Sequence, residues 1–209
     1  MYSKADMTKE KILSTARKEF LAAGFHKASM RKIASEAMVT TGAIYRYYPD
    51  KKALFLAATK DAVNALHNMY DDLSQIALEG IKRGERYNPK VSLTNLNQLF
   101  DLIYEYFDQF YLLVVCSEES VRDGFIQRIV EEETASTNEY LKRLKEYYHS
   151  SYEIDTVTLH ILIEAFVSAL LEPIRHRMNK EEAMKHIQFM GEFFADGWEG
   201  IERKICGMP

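Results

Sequence analysis

Between Ser29 and Lys51 the chain gathers side chains able to grip a polyanion and read its edges. Ser29, Thr40 and Thr41 carry hydroxyls, Tyr45 and Tyr47 carry phenols, Arg31 and Arg46 carry guanidinium groups, and Lys51 carries an ammonium. Cationic groups bind phosphate and fix register, whereas a guanidinium can pair with a guanine edge and a threonine can meet a base or a thymine methyl. Gly42 and Ala43 stand among them and are small enough to let the backbone come close. The chemistry that this assortment suits is docking on duplex nucleic acid.

Such groups act only on an element that is exposed, short-sided and held at a fixed angle by a partner. The spacing predicts that arrangement. A first helix runs from about Thr8 to Ala23, with Gly24 at its C′ position and an apolar stripe of Ile12, Leu13, Ala16, Phe20 and Leu21. Phe25 is positioned to fold back onto that stripe. A second helix starts at the N-cap Ser29 and buries Ile33, Ala34 and Ala37. Met38-Val39 forms the turn. A third helix starts near Thr40, buries Ile44 and ends before Pro49. Its outer face presents Thr40, Thr41, Gly42, Ala43, Tyr45, Arg46 and Tyr47, while Tyr48 is expected to pack and Lys52 to be a solvated charge.

Charge sharpens the picture. The chain of 209 residues has a net charge of −4, yet residues 1–52 carry 11 Lys and Arg against 5 Asp and Glu. The remainder carries 16 against 26. A basic head on an acidic body can approach phosphate at one end and keep the other end away. With 47% hydrophobic and 28% charged residues the composition is that of a globular protein. The apolar run Leu159–Leu171 is interrupted by Glu164, so no membrane span is expected, and the N-terminus has no signal-peptide pattern. A cytoplasmic protein follows as the expectation. Cys116 and Cys206 fit no metal spacing and are expected to be reduced.

Beyond the head the pattern stays helical. A long fourth helix is expected from about Asp50 to Leu78, then a loop over Gly80–Pro89. Helices follow at about 92–106, 108–117, 121–150, 155–177 and 180–205. Pro173 should kink or end the penultimate one, and Asn179 with Glu182 forms a cap pair for the last. No cofactor motif or nucleophile signature appears; His160 and Glu164 lie four apart but lack a third metal ligand in register. An enzyme is not expected.

Residues 8–55 resemble the N-terminal domain of the TetR family of bacterial transcriptional regulators. The likeness rests on Ile12–Phe25, on Ser29–Ala37 and above all on the run Val39–Phe55, Val-Thr-Thr-Gly-Ala-Ile-Tyr-Arg-Tyr-Tyr-Pro-Asp-Lys-Lys-Ala-Leu-Phe. The resemblance implies an all-α fold, with a three-helix DNA-binding domain at 1–52 and a helical effector-binding and dimerisation domain at 53–209. It places Thr41, Gly42, Ala43, Tyr45, Arg46 and Tyr47 at recognition-helix positions, and Arg31 and Lys51 where such proteins touch the DNA backbone or adjacent bases. Met38 stands where the family usually has glycine, Thr41 where it often has lysine, and Ala43 where it often has threonine.

The same resemblance implies a homodimer through the last two helices, Asp155–Met178 and Lys180–Cys206. Their apolar residues, such as Ile161, Leu162, Phe189 and Phe193, exceed what one side of each helix needs for its own core. It also implies repression of a palindromic operator, relieved when a small-molecule inducer binds among the central helices. Candidate lining residues are Tyr104, Phe107, Phe110, Tyr111, Tyr147, Tyr148, His160 and Glu164. Glu164, in an apolar stretch, has two readings: a buried polar group partnered by a cationic ligand, or, with the aromatics as ordinary core, a side chain that pairs with an arginine or faces solvent.

Overall fold

The computed structural model describes residues 4–83 and 89–208, and among these every regular element is helical. The elements are α1 (Lys4–Lys27), α2 (Met30–Glu36), α3 (Thr41–Tyr47), α4 (Lys51–Ala58), α5 (Lys60–Lys82), α6 (Pro89–Glu105), α7 (Phe107–Tyr111), α8 (Glu119–Tyr148), α9 (Thr156–Arg175) and α10 (Lys180–Ile205). A π-helical stretch, Leu112–Cys116, follows α7.

These elements pack as two compact units. One holds the chain up to Ala65 together with Tyr106–Asp123; the other holds Leu66–Glu105 and Gly124 onward. The first unit does not stop at residue 52. Leu54, Phe55 and Ala58 of α4 are completely buried, and Phe55 meets Phe20 edge-on at 5.0 Å and Phe25 at 5.5 Å. Phe25 reaches that cluster because Gly24 turns the chain with φ 71, a conformation that costs a glycine little. Tyr106–Asp123 joins the same unit, and the side chain of its Gln109 reaches α5.

The expected long fourth helix is broken. α4 ends at Ala58, Thr59 takes φ −109 and ψ 2, and α5 begins at Lys60. Side chains satisfy the backbone groups around the break. The Thr59 hydroxyl donates to the Phe55 and Leu56 carbonyls. Arg17 Nε donates to the Ala58 carbonyl at 2.8 Å. The Ala62 N–H donates to Gln109 Oε1 at 3.2 Å, in the interior. Periodicity hides such a break, because apolar spacing continues across it. α5 also runs through Gly80 to Lys82, into the expected loop; residues 84–88 of that loop lie outside the described residues.

Several helices close with the same device. After α2 the Val39 N–H donates to the Ala34 carbonyl and Met38 N–H to Ser35, with Met38 at φ 56. The same paired bonds set His149 at φ 52 after α8, Arg177 at φ 48 after α9 and Gly207 at φ 67 after α10. This is the Schellman arrangement, whose left-handed residue is usually glycine. α9 therefore ends at Arg175 through its cap, and Pro173 sits buried inside its last turn. The proline cannot donate to the Ala169 carbonyl four residues earlier. His186 Nε2 of α10 lies 3.4 Å from that oxygen and donates to it when it carries the proton. Asn179 and Glu182 form the expected reciprocal cap at the start of α10.

In the second unit α10 packs on α6 and α9, and Leu159, Ile163, Val167, Leu170, Leu171 and Ile174 of α9 are buried. Contrary to the sequence expectation, α9 is long and apolar enough to cross a membrane by length and composition, with an 18-residue window of mean hydropathy 1.7. Two carboxylates, Glu164 and Glu172, do not lower that average enough.

Candidate nucleic-acid interface

The head is built to hold α3 still. Ile44 is its one fully buried side chain, and Val39 in the turn is half-buried. Ser29 accepts from the Lys32 N–H at 3.3 Å, Thr40 from Ala43 at 3.1 Å and Asp50 from Ala53 at 2.7 Å, so each helix start is capped by its own side chain. Beneath them Glu19, only 4% exposed, projects from the buried face of α1. It accepts the Ser29 N–H at 3.1 Å and the Lys32 ammonium at 2.5 Å. The Lys32 ammonium, helped by the Ser29 N–H, holds the Glu19 carboxyl below the usual carboxylate range against the opposing effect of burial. Sequence reasoning missed this clamp. Its signal was a glutamate at the three-residue step after Ala16 and next to Phe20, on the apolar stripe itself.

The outer face of α3 is open. Tyr45 is 47% and Tyr47 36% exposed, and Arg46 is exposed at the C-terminal end. Thr41 and Ala43 are half-buried, while Ser29, Thr40 and Gly42 are exposed. Among the described residues a Cβ on Gly42 would meet nothing nearer than Thr40 Oγ1 at 3.9 Å, an ordinary contact, so none of them requires glycine there. Arg31 is exposed on α2, and among the described residues neither it nor Arg46 enters an ion pair. Lys9 adds a cation that sequence reasoning did not single out, its ammonium 5.4 Å from the centre of the Tyr47 ring. Tyr48 is half-buried, and burial raises its phenol above the ordinary range.

Two lysines differ from expectation. Lys51 turns back on the chain: its ammonium donates to the His26 carbonyl at 3.0 Å and the Ala28 carbonyl at 3.4 Å, and lies 4.9 Å from the centre of the Phe25 ring. A phosphate would compete with those carbonyls for it. Lys52 is not simply solvated; it pairs with Glu118 at 2.7 Å and donates to Ser120 at 3.2 Å. Local sequence gives no sign of either, because the partners lie 23 to 68 positions away.

The effector candidates scatter. In the first unit Phe107 and Tyr111 stack at 6.3 Å, and Phe110 is buried in the core. In the second, Tyr104 donates its hydroxyl to the Met178 carbonyl at 2.7 Å, tying α6 to the α9–α10 turn. Tyr148 meets Tyr147 edge-on at 5.0 Å, and His160 Nδ1 lies 3.5 Å from the Thr134 hydroxyl. Glu164 is exposed, which fits the solvent-facing alternative and not the buried one. It lies on the face of α9 that carries exposed Ile161 and Leu162, so the apolar stretch around it is itself on the surface.

A capped three-helix head with an open, hydroxyl- and arginine-bearing third helix defines the class of helix-turn-helix DNA-binding folds. Residues 12–58 match the family model of bacterial regulatory proteins, tetR family. That match covers 47 of the 209 residues, all within the first unit. The HTH-type transcriptional regulator UidR of Escherichia coli K12 is 37% identical over 57 residues, a match spanning 27% of this chain and 29% of that relative's length. The whole chain resembles solved structures at the level of fold. A transcriptional regulator FadR from Bacillus subtilis, solved in complex with stearoyl-CoA, has a TM-score of 0.62 at 15% identity, covering 90% of this chain and 98% of its own. NalD, the secondary repressor of the MexAB-OprM multidrug efflux pump in Pseudomonas aeruginosa, has a TM-score of 0.60 at 18% identity, covering 90% and 96%.

Proposed function

We propose that the chain is a ligand-responsive transcriptional repressor of the bacterial cytoplasm. Two copies join through α9 and α10 and bind a palindromic operator with their two α3 helices; a small molecule in the second unit releases them. The observation that carries this reading is the open face of α3, where Thr41, Gly42, Tyr45, Arg46 and Tyr47 project from a helix whose inner side is anchored by Ile44. Thr40, Thr41 and Ala43 meet base edges, Ser29 and Arg31 meet phosphates, and the arginines set much of the salt dependence.

Exposed apolar side chains support the dimer. Val157, Ile161 and Leu162 on α9 are 64%, 56% and 41% exposed, and Phe189 and Phe193 on α10 are 71% and 67% exposed. Large apolar side chains clustered at a surface mark an association site. An isologous contact there gives the two-fold symmetry that a palindrome needs. The effector must favour the DNA-incompetent state, and by linkage DNA weakens the effector equally.

Gel shift with DNA from upstream of the chain's own gene, at two salt concentrations, tests the reading. Sequence-selective, salt-sensitive retardation is expected; its absence would sink it. Reporter transcription from the bound promoter should rise when the gene is deleted, and a fall would reverse the sign of regulation.

A further inference from the structure

Two deep polar groups in the second unit lack the partners that their surroundings call for. Tyr70 on α5 and Glu133 on α8 lie deep among protein atoms, yet each keeps some accessible surface. Two contacts bracket them. His67 Nδ1 lies 3.6 Å from a Glu132 carboxylate oxygen, and Ser74 Oγ lies 3.1 Å from Ser136 Oγ. Tyr70 stands between His67 and Ser74 on α5, and Glu133 between Glu132 and Ser136 on α8, so both belong to one seam. Among the described residues the Tyr70 hydroxyl makes no hydrogen bond. Glu133 receives one from Thr137 and, among the described residues, faces no cation.

The neighbouring charges are already engaged. Arg128 pairs with Glu132 at 2.9 Å, and His67 lies between Glu132 and Asp71 at 3.6 and 3.5 Å. Burial pushes both the Tyr70 phenol and the Glu133 carboxyl above their ordinary values. A buried carboxylate without a counter-charge is costly, and a cation supplied from outside removes that cost. A tyrosine ring beside it offers the cation a second attraction. An anionic ligand would find two carboxylates and, among the described residues, no unpaired cation beside them.

We propose that the seam between α5 and α8 binds an organic cation with an apolar body, its positive centre set between the Glu133 carboxylate and the Tyr70 ring. This deepens the ligand-responsive reading above and rests on it. Titration calorimetry of the full chain with octyltrimethylammonium, 1-octanol and octanoate tests the choice of charge on one apolar chain. The cation is expected to bind about tenfold or more tightly than the other two. Glu133→Gln should abolish that preference and leave octanol binding unchanged. Tyr70→Phe, which keeps the ring, should retain it, and Tyr70→Leu should weaken it. Equal or tighter binding of octanol or octanoate, no binding of any probe, or a preference that survives Glu133→Gln would overturn the proposal. Operator gel shift on the same preparations separates the two readings: retardation without cation preference defeats this inference alone, and no retardation defeats the regulator reading.

Discussion

The Glu19 carboxylate, on the buried side of α1, accepts the backbone N–H of Ser29 at 3.1 Å and so fixes the residue that caps α2. One acid thereby sets where the helix pair begins relative to α1. Glu19→Ala should lower stability by about 1–3 kcal/mol, because it leaves the Ser29 N–H without its acceptor. Denaturant melts followed by circular dichroism measure this. The folded-state value of Glu19 is lowered. Its contribution is therefore complete above the unfolded value of about 4.3, and is lost as pH falls through the lower folded value. Glu19→Gln should flatten that acid limb of the stability curve; an unchanged limb would refute the assignment.

Gly42 separates folding from binding. With no atom nearer than 3.9 Å to an added Cβ, Gly42→Ala should leave the fold intact or raise stability by up to about 1 kcal/mol. Operator affinity should fall by about tenfold, as the methyl intrudes where α3 meets base edges. A thermal melt and a gel shift on one preparation settle both halves.

Met38 holds a left-handed conformation with a side chain 78% exposed. Met38→Gly removes backbone strain and little packing. The expected gain is about 0.5–1 kcal/mol, offset in part by the greater freedom of the unfolded chain. A higher denaturant midpoint at constant slope is the signature.

Arg46 and Lys51 should part company. Arg46→Ala should reduce the salt dependence of operator binding by about one unit in log–log slope with little effect on stability. Lys51→Ala should instead destabilise the head by about 1 kcal/mol, since the His26 and Ala28 carbonyls lose their donor. If Lys51→Ala changes only the salt slope, its inward contacts are incidental.

If α9 and α10 form the proposed dimer interface, Phe189→Glu with Phe193→Glu should leave the protein monomeric, seen by sedimentation velocity. Operator affinity should fall by about a hundredfold or more as the two heads lose their linkage. A double variant that stays dimeric would move the interface elsewhere.

The sequence by itself determined what depends on near neighbours. Ser29, Thr40, Asp50 and Asn179 cap the helices that follow them because their partners lie three residues on. Gly24 turns, Phe25 folds back and Ile44 is buried, since each follows from local geometry and periodicity. Tertiary structure decided what depends on distant partners or on which side of a helix is covered. The break at Thr59 is held by Arg17 and Gln109, 41 and 47 positions from their acceptor and donor. Lys51 turned inward to carbonyls at the end of α1, and Glu19 became a clamp because Ser29 and Lys32 came to rest above it. Glu164 lies at the surface because α9 buries the stripe through Leu159, Ile163 and Val167, and periodicity alone cannot tell which of two apolar stripes a neighbour will cover.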